Sequence, residues 1–169
     1  AARTSEPLIQ AVVETLRRGG WQVELHATGG SGDARRLAAK AVADHYDVVT
    51  VFGGDGTTMQ AAAALVGSDT ALGVIPGGTG NLLAGNLRVP SNPLRAAAAL
   101  LTASARPLDL GRMERADGTH YFAGACGAGY DARVMAETTT ADKRRWRFAA
   151  YVVTTLRLIP ELHSTDHVI

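Results

Sequence analysis

The sequence predicts an α/β fold: an open, mostly parallel sheet with helices on both faces, followed by the start of a second, β-rich layer near the C-terminus. Three observations predict it. Residues 48–52 (VVTVF) are apolar or β-branched throughout, as in a parallel strand covered on both faces. Helix-like and strand-like hydrophobic periods alternate as far as Leu110. The rhythm then changes, with extended stretches on either side of Ala116, Asp117 and Gly118, the signal of an antiparallel hairpin. Residues 1–110 therefore read as an α/β lobe, and residues 111–169 as a hairpin and helix that begin a β-rich domain without completing it.

Each element has its own signal. Leu8, Ile9, Val12, Val13 and Leu16 recur at helical spacing after Ser5, and Gly19 and Gly20 end that helix. Trp21, Val23 and Leu25 alternate with polar residues, predicting a strand up to Thr28. Residues 29–33 form a loop and helix start, and Leu37, Ala38, Ala41 and Val42 mark the next apolar face. After the strand at residues 48–52 a helix is expected over residues 58–66, then a short strand over residues 71–75 and a short helix near residues 81–86. Pro90 breaks the chain, and Asn92 and Pro93 stand in cap and first-turn positions of a further helix. Residues 107–114 and 119–126 are the hairpin arms. Trp146, Ala149, Ala150, Val153 and Leu156 have the spacing of an amphipathic helix that stops before Pro160.

Composition limits the function classes. With 46% hydrophobic and 20% charged residues, 169 residues can bury one full core. Seventeen basic and sixteen acidic side chains leave a formal charge of +1, so no overall field points to nucleic acid. The single cysteine, Cys126, excludes an internal disulfide framework and reads as a core thiol in a reducing cytosol. No segment reaches the about 18 uninterrupted apolar residues of a transmembrane helix, and the opening AARTSEP lacks the apolar stretch of a secretory leader. A cytoplasmic protein is expected. The five histidines have no metal-ligand spacing, so no zinc site is expected.

The chemistry concentrates in two glycine-rich loops. Gly53, Gly54, Asp55, Gly56, Thr57 and Thr58 follow the first buried strand, and Pro76, Gly77, Gly78, Thr79, Gly80 and Asn81 follow the second. Each loop leads into a helix. Glycines without Cβ let backbone N–H groups approach phosphate oxygens, and the helix N-terminus adds its positive dipole end. No lysine follows either loop as a Walker A motif requires, and the third glycine of G-x-G-x-x-G is replaced by Met59 in one loop and Leu83 in the other. Gly124, Gly127 and Gly129 have the wrong spacing too. Asp55 is the informative residue. A carboxylate beside phosphate-binding amides repels the phosphate unless a cation or a transferring proton lies between them, and Mg²⁺ with ATP supplies the cation. The plainer alternative is that Asp55 caps the helix starting near Thr58.

GGDGT followed some twenty residues on by PGGTGN resembles the catalytic domain of the diacylglycerol kinase family, which includes sphingosine and ceramide kinases and bacterial lipid kinases. The likeness runs from about Val23 to Leu158 and takes in Thr28, PLDLG at residues 107–111, GAGYDARV at residues 127–134 and the 143–151 segment. It implies an ATP- and Mg²⁺-dependent transfer of the γ-phosphoryl group to a lipid hydroxyl, diacylglycerol or sphingoid in type. By the resemblance, nucleotide contacts fall on Thr28, on residues 54–60 and on Thr79. Asp55 takes the hydroxyl proton in relatives that use the first-loop aspartate as base, whereas bacterial members place the base in a C-terminal β-rich domain. On that pattern the chain is the nucleotide-binding lobe of a larger enzyme, inactive by itself.

Two departures from the family stand out. Met59 and Gln60 replace a frequent Asn-Glu, and Leu82 replaces the aspartate of many bacterial members, as in sphingosine-type relatives. Asp109 and Asp131 are weaker candidates on the acceptor side; an ordinary turn carboxylate and a helix cap are their plainer readings. Lys143, Arg144, Arg145 and Arg147 interleave with Trp146 and Phe148, forming either a solvated face or a peripheral contact with anionic headgroups worth about 1 kcal/mol per basic residue. NAD kinases share the GGDGT loop, but their second loop is of Asn-x-Gly-x-x-Gly-Phe-Leu type. A nucleotide-binding regulatory module without turnover is the rival from another class, and has less need of Asp55.

Overall fold

The computed structural model describes residues 4–116 and 118–123. They lie in one compact unit, Ala2–Gly124. Cys126, Gly124, Gly127, Gly129, Asp131, the basic cluster at residues 143–147 and the helix expected around Trp146 fall outside the described residues.

Helix α1, Glu6–Arg18, begins after Ser5 with Pro7 in its first turn and ends at Gly19, with Gly20 at φ +92° making the left-handed exit. Helix α2 is Asp33–Ala43, strand β1 Val48–Gly53, helix α3 Asp55–Leu65 and strand β2 Ala71–Pro76. The short α4, Leu82–Asn86, and α5, Pro93–Leu100, follow, then the hairpin strands β3, Gly111–Arg115, and β4, Gly118–Phe122. β1 and β2 pair in parallel, Val48 opposite Ala71 through Gly53 opposite Pro76. β3 and β4 are antiparallel, with Gly111 opposite Phe122 and the turn closed at Arg115 opposite Gly118.

The parallel pair is covered on both faces, and strand alternation sorts its side chains. Val49, Val51 and Leu72 point to one core, shared with Ala38 of α2 and Ala61 and Leu65 of α3. Phe52 and Ile75 point to the other, shared with Val12 and Leu16 of α1 and Ala96 and Ala97 of α5. Ile75 is fully buried, and removing its side chain from water contributes about 1.5–3 kcal/mol. Ala96 and Ala97 are also fully buried, so α5 sits close on β2 with no room for a larger side chain.

Asn92 begins α5 as the sequence predicts, its Oδ1 accepting from the N–H of Leu94 at 3.0 Å and of Arg95 at 3.1 Å. Asn92→Ala leaves both donors without that partner and is expected to lower unfolding free energy by about 1 kcal/mol, read as a shifted denaturant midpoint at constant slope. An unchanged midpoint would show that water serves the helix end equally well.

The predicted strand at residues 21–28 joins no ladder. Trp21 and Val23 do pack on the α1/α5 core, so their alternation reported one-sided burial correctly. What is lacking is a backbone partner within the roughly 4.8 Å of a ladder. A cavity of about 510 Å³ is lined by Trp21, Val23 and Leu25 from this segment and by Val49, Val51 and Phe52 from β1. The Val23 carbonyl accepts instead from the Arg17 guanidinium at 2.8 Å.

Candidate active site

The register of β1 and β2 decides where the glycine loops emerge. Their last pair is Gly53 opposite Pro76, and the Gly77 N–H extends the ladder by donating to the Gly53 carbonyl at 2.8 Å. Both loops therefore leave the C-terminal edge of the sheet at one level, where parallel α/β sheets bind ligands.

In the first loop, Gly54 is the extended N-cap of α3 and the helix starts at Asp55, earlier than the expected residue 58. No side chain caps it, and the N–H groups of Asp55, Gly56 and Thr57 have no intrahelical acceptor by helix geometry. Thr58 is 2% exposed, and its Oγ1 donates to the Gly54 carbonyl at 3.0 Å, supporting the loop from within. Thr57 packs against Gly53, and Gly56 is exposed with open space around it.

Gly78 of the second loop meets Gly54 of the first through backbone alone. A Cβ on Gly78 would lie 2.5 Å from the Gly54 Cα and 3.3 Å from its nitrogen; only glycine permits this approach. Asn81 sits in the left-handed region at φ 52°, ψ 45° and clamps the Gly78 peptide from both sides. Its Oδ1 accepts from the Gly78 N–H at 2.8 Å, and its Nδ2 donates to the Gly78 carbonyl at 2.9 Å. Asn81 thus shapes the loop, and the Gly78 amide is already satisfied. Thr79 and Gly80 are exposed at the tip.

Asp55 ties the loops together. Its Oδ1 accepts from the Leu83 N–H, in the first turn of α4, at 3.3 Å, and a Cβ on Gly80 would fall 2.9 Å from its Oδ2. The carboxylate reaches across 28 residues instead of capping its own helix. Leu83 is the partner that sequence reading missed, because a backbone donor carries no residue signature. Leu82 itself is 62% exposed.

Thr28 is exposed and heads a third glycine-rich turn. There Asp33 Oδ2 accepts from the N–H groups of Gly29 at 2.9 Å and Gly30 at 3.0 Å, while its Oδ1 meets the Arg36 guanidinium at 3.3 Å. The Gly29 N–H first, then Arg36 and the Gly30 N–H, hold the Asp33 carboxyl below its ordinary range. The Gly32 N–H donates to Gln60 Oε1 at 3.0 Å. Asp109 is exposed and has no hydrogen bond to Asp55. Among the described residues no group of three or more His, Cys, Asp or Glu is placed to hold a metal, and no helix is long and apolar enough to cross a membrane.

A family model of the diacylglycerol kinase catalytic domain matches residues 1–113. The chain belongs to the diacylglycerol kinase catalytic-domain family. Among curated relatives, a "Probable lipid kinase YegS-like" protein of Xanthomonas campestris is 35% identical over 152 residues, covering 86% of this chain and 49% of that protein. One of the same name from Pseudomonas aeruginosa is 35% identical over 160 residues, covering 94% of this chain and 51% of its own length. The chain therefore spans about half the length of these relatives. Among solved structures, a diacylglycerol kinase from Bacillus anthracis superposes with TM-score 0.60 at 27% identity, over 64% of this chain and 41% of that one. A putative diacylglycerol kinase from the same organism superposes with TM-score 0.67 over 96% of this chain and 55% of that one, at 22% identity, which speaks for the fold alone. Family membership thus rests on residues that include both glycine loops, and the fold is the α/β arrangement that the loops and strands imply.

Proposed function

We propose that the chain is the nucleotide-binding lobe of an ATP-dependent lipid kinase, which transfers the γ-phosphoryl group to a lipid hydroxyl of diacylglycerol or sphingoid type. The observation that carries this reading is the bridge from Asp55 to the Leu83 N–H, which sets a carboxylate between two glycine loops that phosphate oxygens can approach. The donor set fits Mg²⁺–ATP. The first-turn amides of α3 suit an anion, Thr28 and Thr79 are exposed for hydrogen bonding, and Asp55 supplies the negative charge that a cation on the phosphates would face. Bound Mg²⁺ neutralises charge that develops on the transferring phosphoryl group.

In the proposed reaction the lipid hydroxyl oxygen forms the new bond to the γ-phosphorus as the bond to the β-phosphate oxygen breaks and ADP leaves. The hydroxyl proton passes to Asp55, whose Oδ1 is oriented by Leu83. The names of the relatives, probable lipid kinases, and the position of the acid at the glycine loops both support kinase chemistry. A membrane-resident substrate also makes peripheral membrane association of a cytoplasmic enzyme part of the proposal.

The test is radiolabelled phosphate transfer from ATP to a lipid panel and to NAD. The complete protein is expected to phosphorylate a lipid in mixed micelles and leave NAD unmodified, whereas residues 1–169, about half the length of the curated relatives, are expected to bind Mg²⁺–ATP weakly and transfer nothing. Transfer to NAD but to no lipid would overturn the reading. Full turnover by the 169 residues would place all the catalytic machinery within them.

A further inference from the structure

We propose that the outer face of α4 and the turn after it, formed by Leu82, Leu87 and Arg88, docks on an anionic lipid surface and so brings the glycine loops to the bilayer. The choice of a lipid surface rests on the kinase reading above and deepens it by naming the part of the chain that meets the membrane.

Burial divides α4 into two faces. Leu83 and Ala84 are buried, whereas Leu82 is 62% and Leu87 46% exposed, with Gly85 and Asn86 exposed between them. A Cβ on Gly85 would meet no atom within 4 Å, so this face is open. Of the six large apolar side chains exposed among the described residues, four (Leu82, Leu87, Leu94 and Leu108) come from residues 82–108. Charge is distributed to match. Residues 70–108 contain no Asp or Glu and carry Arg88, Arg95 and Arg106. Arg88 and Arg95 have no carboxylate partner among the described residues. Arg88 also stands at φ 55°, a conformation that glycine takes freely and arginine only at a cost, so a cation occupies a position whose backbone favours glycine.

The patch adjoins the site. One point, the place of a Cβ on Gly80, lies 2.9 Å from Asp55 Oδ2 and 3.9 Å from Leu82 Cγ. The Asp55 carboxylate is itself engaged by the N–H of the next residue, Leu83. A lipid hydroxyl lies at the boundary between headgroups and acyl chains, and the phosphoryl donor must come to it there. Exposed leucines beside an arginine match that boundary: the apolar side chains enter the acyl edge while the guanidinium stays among headgroup phosphates. A protein partner is served less well. Five helical residues span about 7.5 Å, whereas a stable protein interface takes about 800 Å² from each side.

The experiment is co-sedimentation of the complete protein with phosphatidylcholine vesicles, with and without phosphatidylglycerol. Wild type is expected to bind the anionic vesicles more tightly. The double variant Leu82→Ser, Leu87→Ser loses about tenfold or more in partition to both kinds of vesicle, and Arg88→Gln loses about fivefold on the anionic vesicles alone. The thermal midpoint of each variant stays at the wild-type value, because the side chains replaced are exposed. Wild type that sediments with neither vesicle overturns the proposal. So does a double variant that sediments like wild type, or one whose loss comes with a lowered thermal midpoint, which would mean that the rest of the protein covers the patch. Vesicle binding that behaves as expected without any lipid phosphorylation removes the kinase reading and leaves the membrane contact standing.

Discussion

Asp55→Asn in the complete protein is expected to lower lipid phosphorylation about a thousandfold while changing ATP affinity less than about threefold. The asparagine oxygen can still accept from the Leu83 N–H, now 3.3 Å from Oδ1, so the loops stay joined and the phosphates keep their amides. What is lost is the negative charge and the ability to accept the hydroxyl proton. Steady-state kinetics give the turnover and calorimetric titration the affinity. Near-normal turnover would show that Asp55 only ties the loops; a parallel collapse of ATP affinity would show that its charge organises the phosphate seat.

The second large effect concerns the contact between the loops. Gly78→Ala puts a methyl group 2.5 Å from the Gly54 Cα, a backbone atom that cannot rotate away, whereas Gly54→Ala meets its nearest neighbour, the Gly78 Cα, at 3.3 Å. The effects should therefore be ordered. Gly78→Ala is expected to weaken ATP binding about thirtyfold, a loss of about 2 kcal/mol from forced separation, and Gly54→Ala only several-fold. Circular dichroism is expected to show both variants folded, since the two cores lie away from the loops. Equal affinities for the three proteins would rule out the close approach as the basis of the site.

Local signals found most of the architecture because they are local. Gly19 and Gly20 end α1, Asn92 and Pro93 open α5, and Gly118 at φ 121° closes the hairpin opposite Arg115, each through φ/ψ or capping chemistry within a few residues. Periodicity found the strands for the same reason. It failed at residues 21–28, where the alternation of Trp21 and Val23 describes one-sided burial and says nothing about a ladder partner, and Leu25 is half exposed. The helix from the first loop starts at Asp55 because Gly54 can take the extended cap position without a capping side chain.

The candidate site was legible as residue types and not as roles. Asp55, the glycines and Asn81 stood out in sequence, but Asn81 proves to hold the Gly78 peptide on both sides, and Thr58 turns inward to the Gly54 carbonyl. The bonds from Asp55 to Leu83 and from Gly32 to Gln60 each join residues 28 positions apart. Such pairings depend on how α3 lies against its neighbours, and no window along the chain contains them.

The level exit of the two loops, pinned by the Gly53–Pro76 pair and the Gly77 bond beyond it, has a thermodynamic consequence. Loops tied to strand ends and to each other have little conformational entropy left to lose when a ligand arrives. The cost of ordering then falls on the flexible triphosphate, and the protein meets it already shaped. Substitutions within this seat should accordingly register in how long a nucleotide stays more than in how fast it is captured.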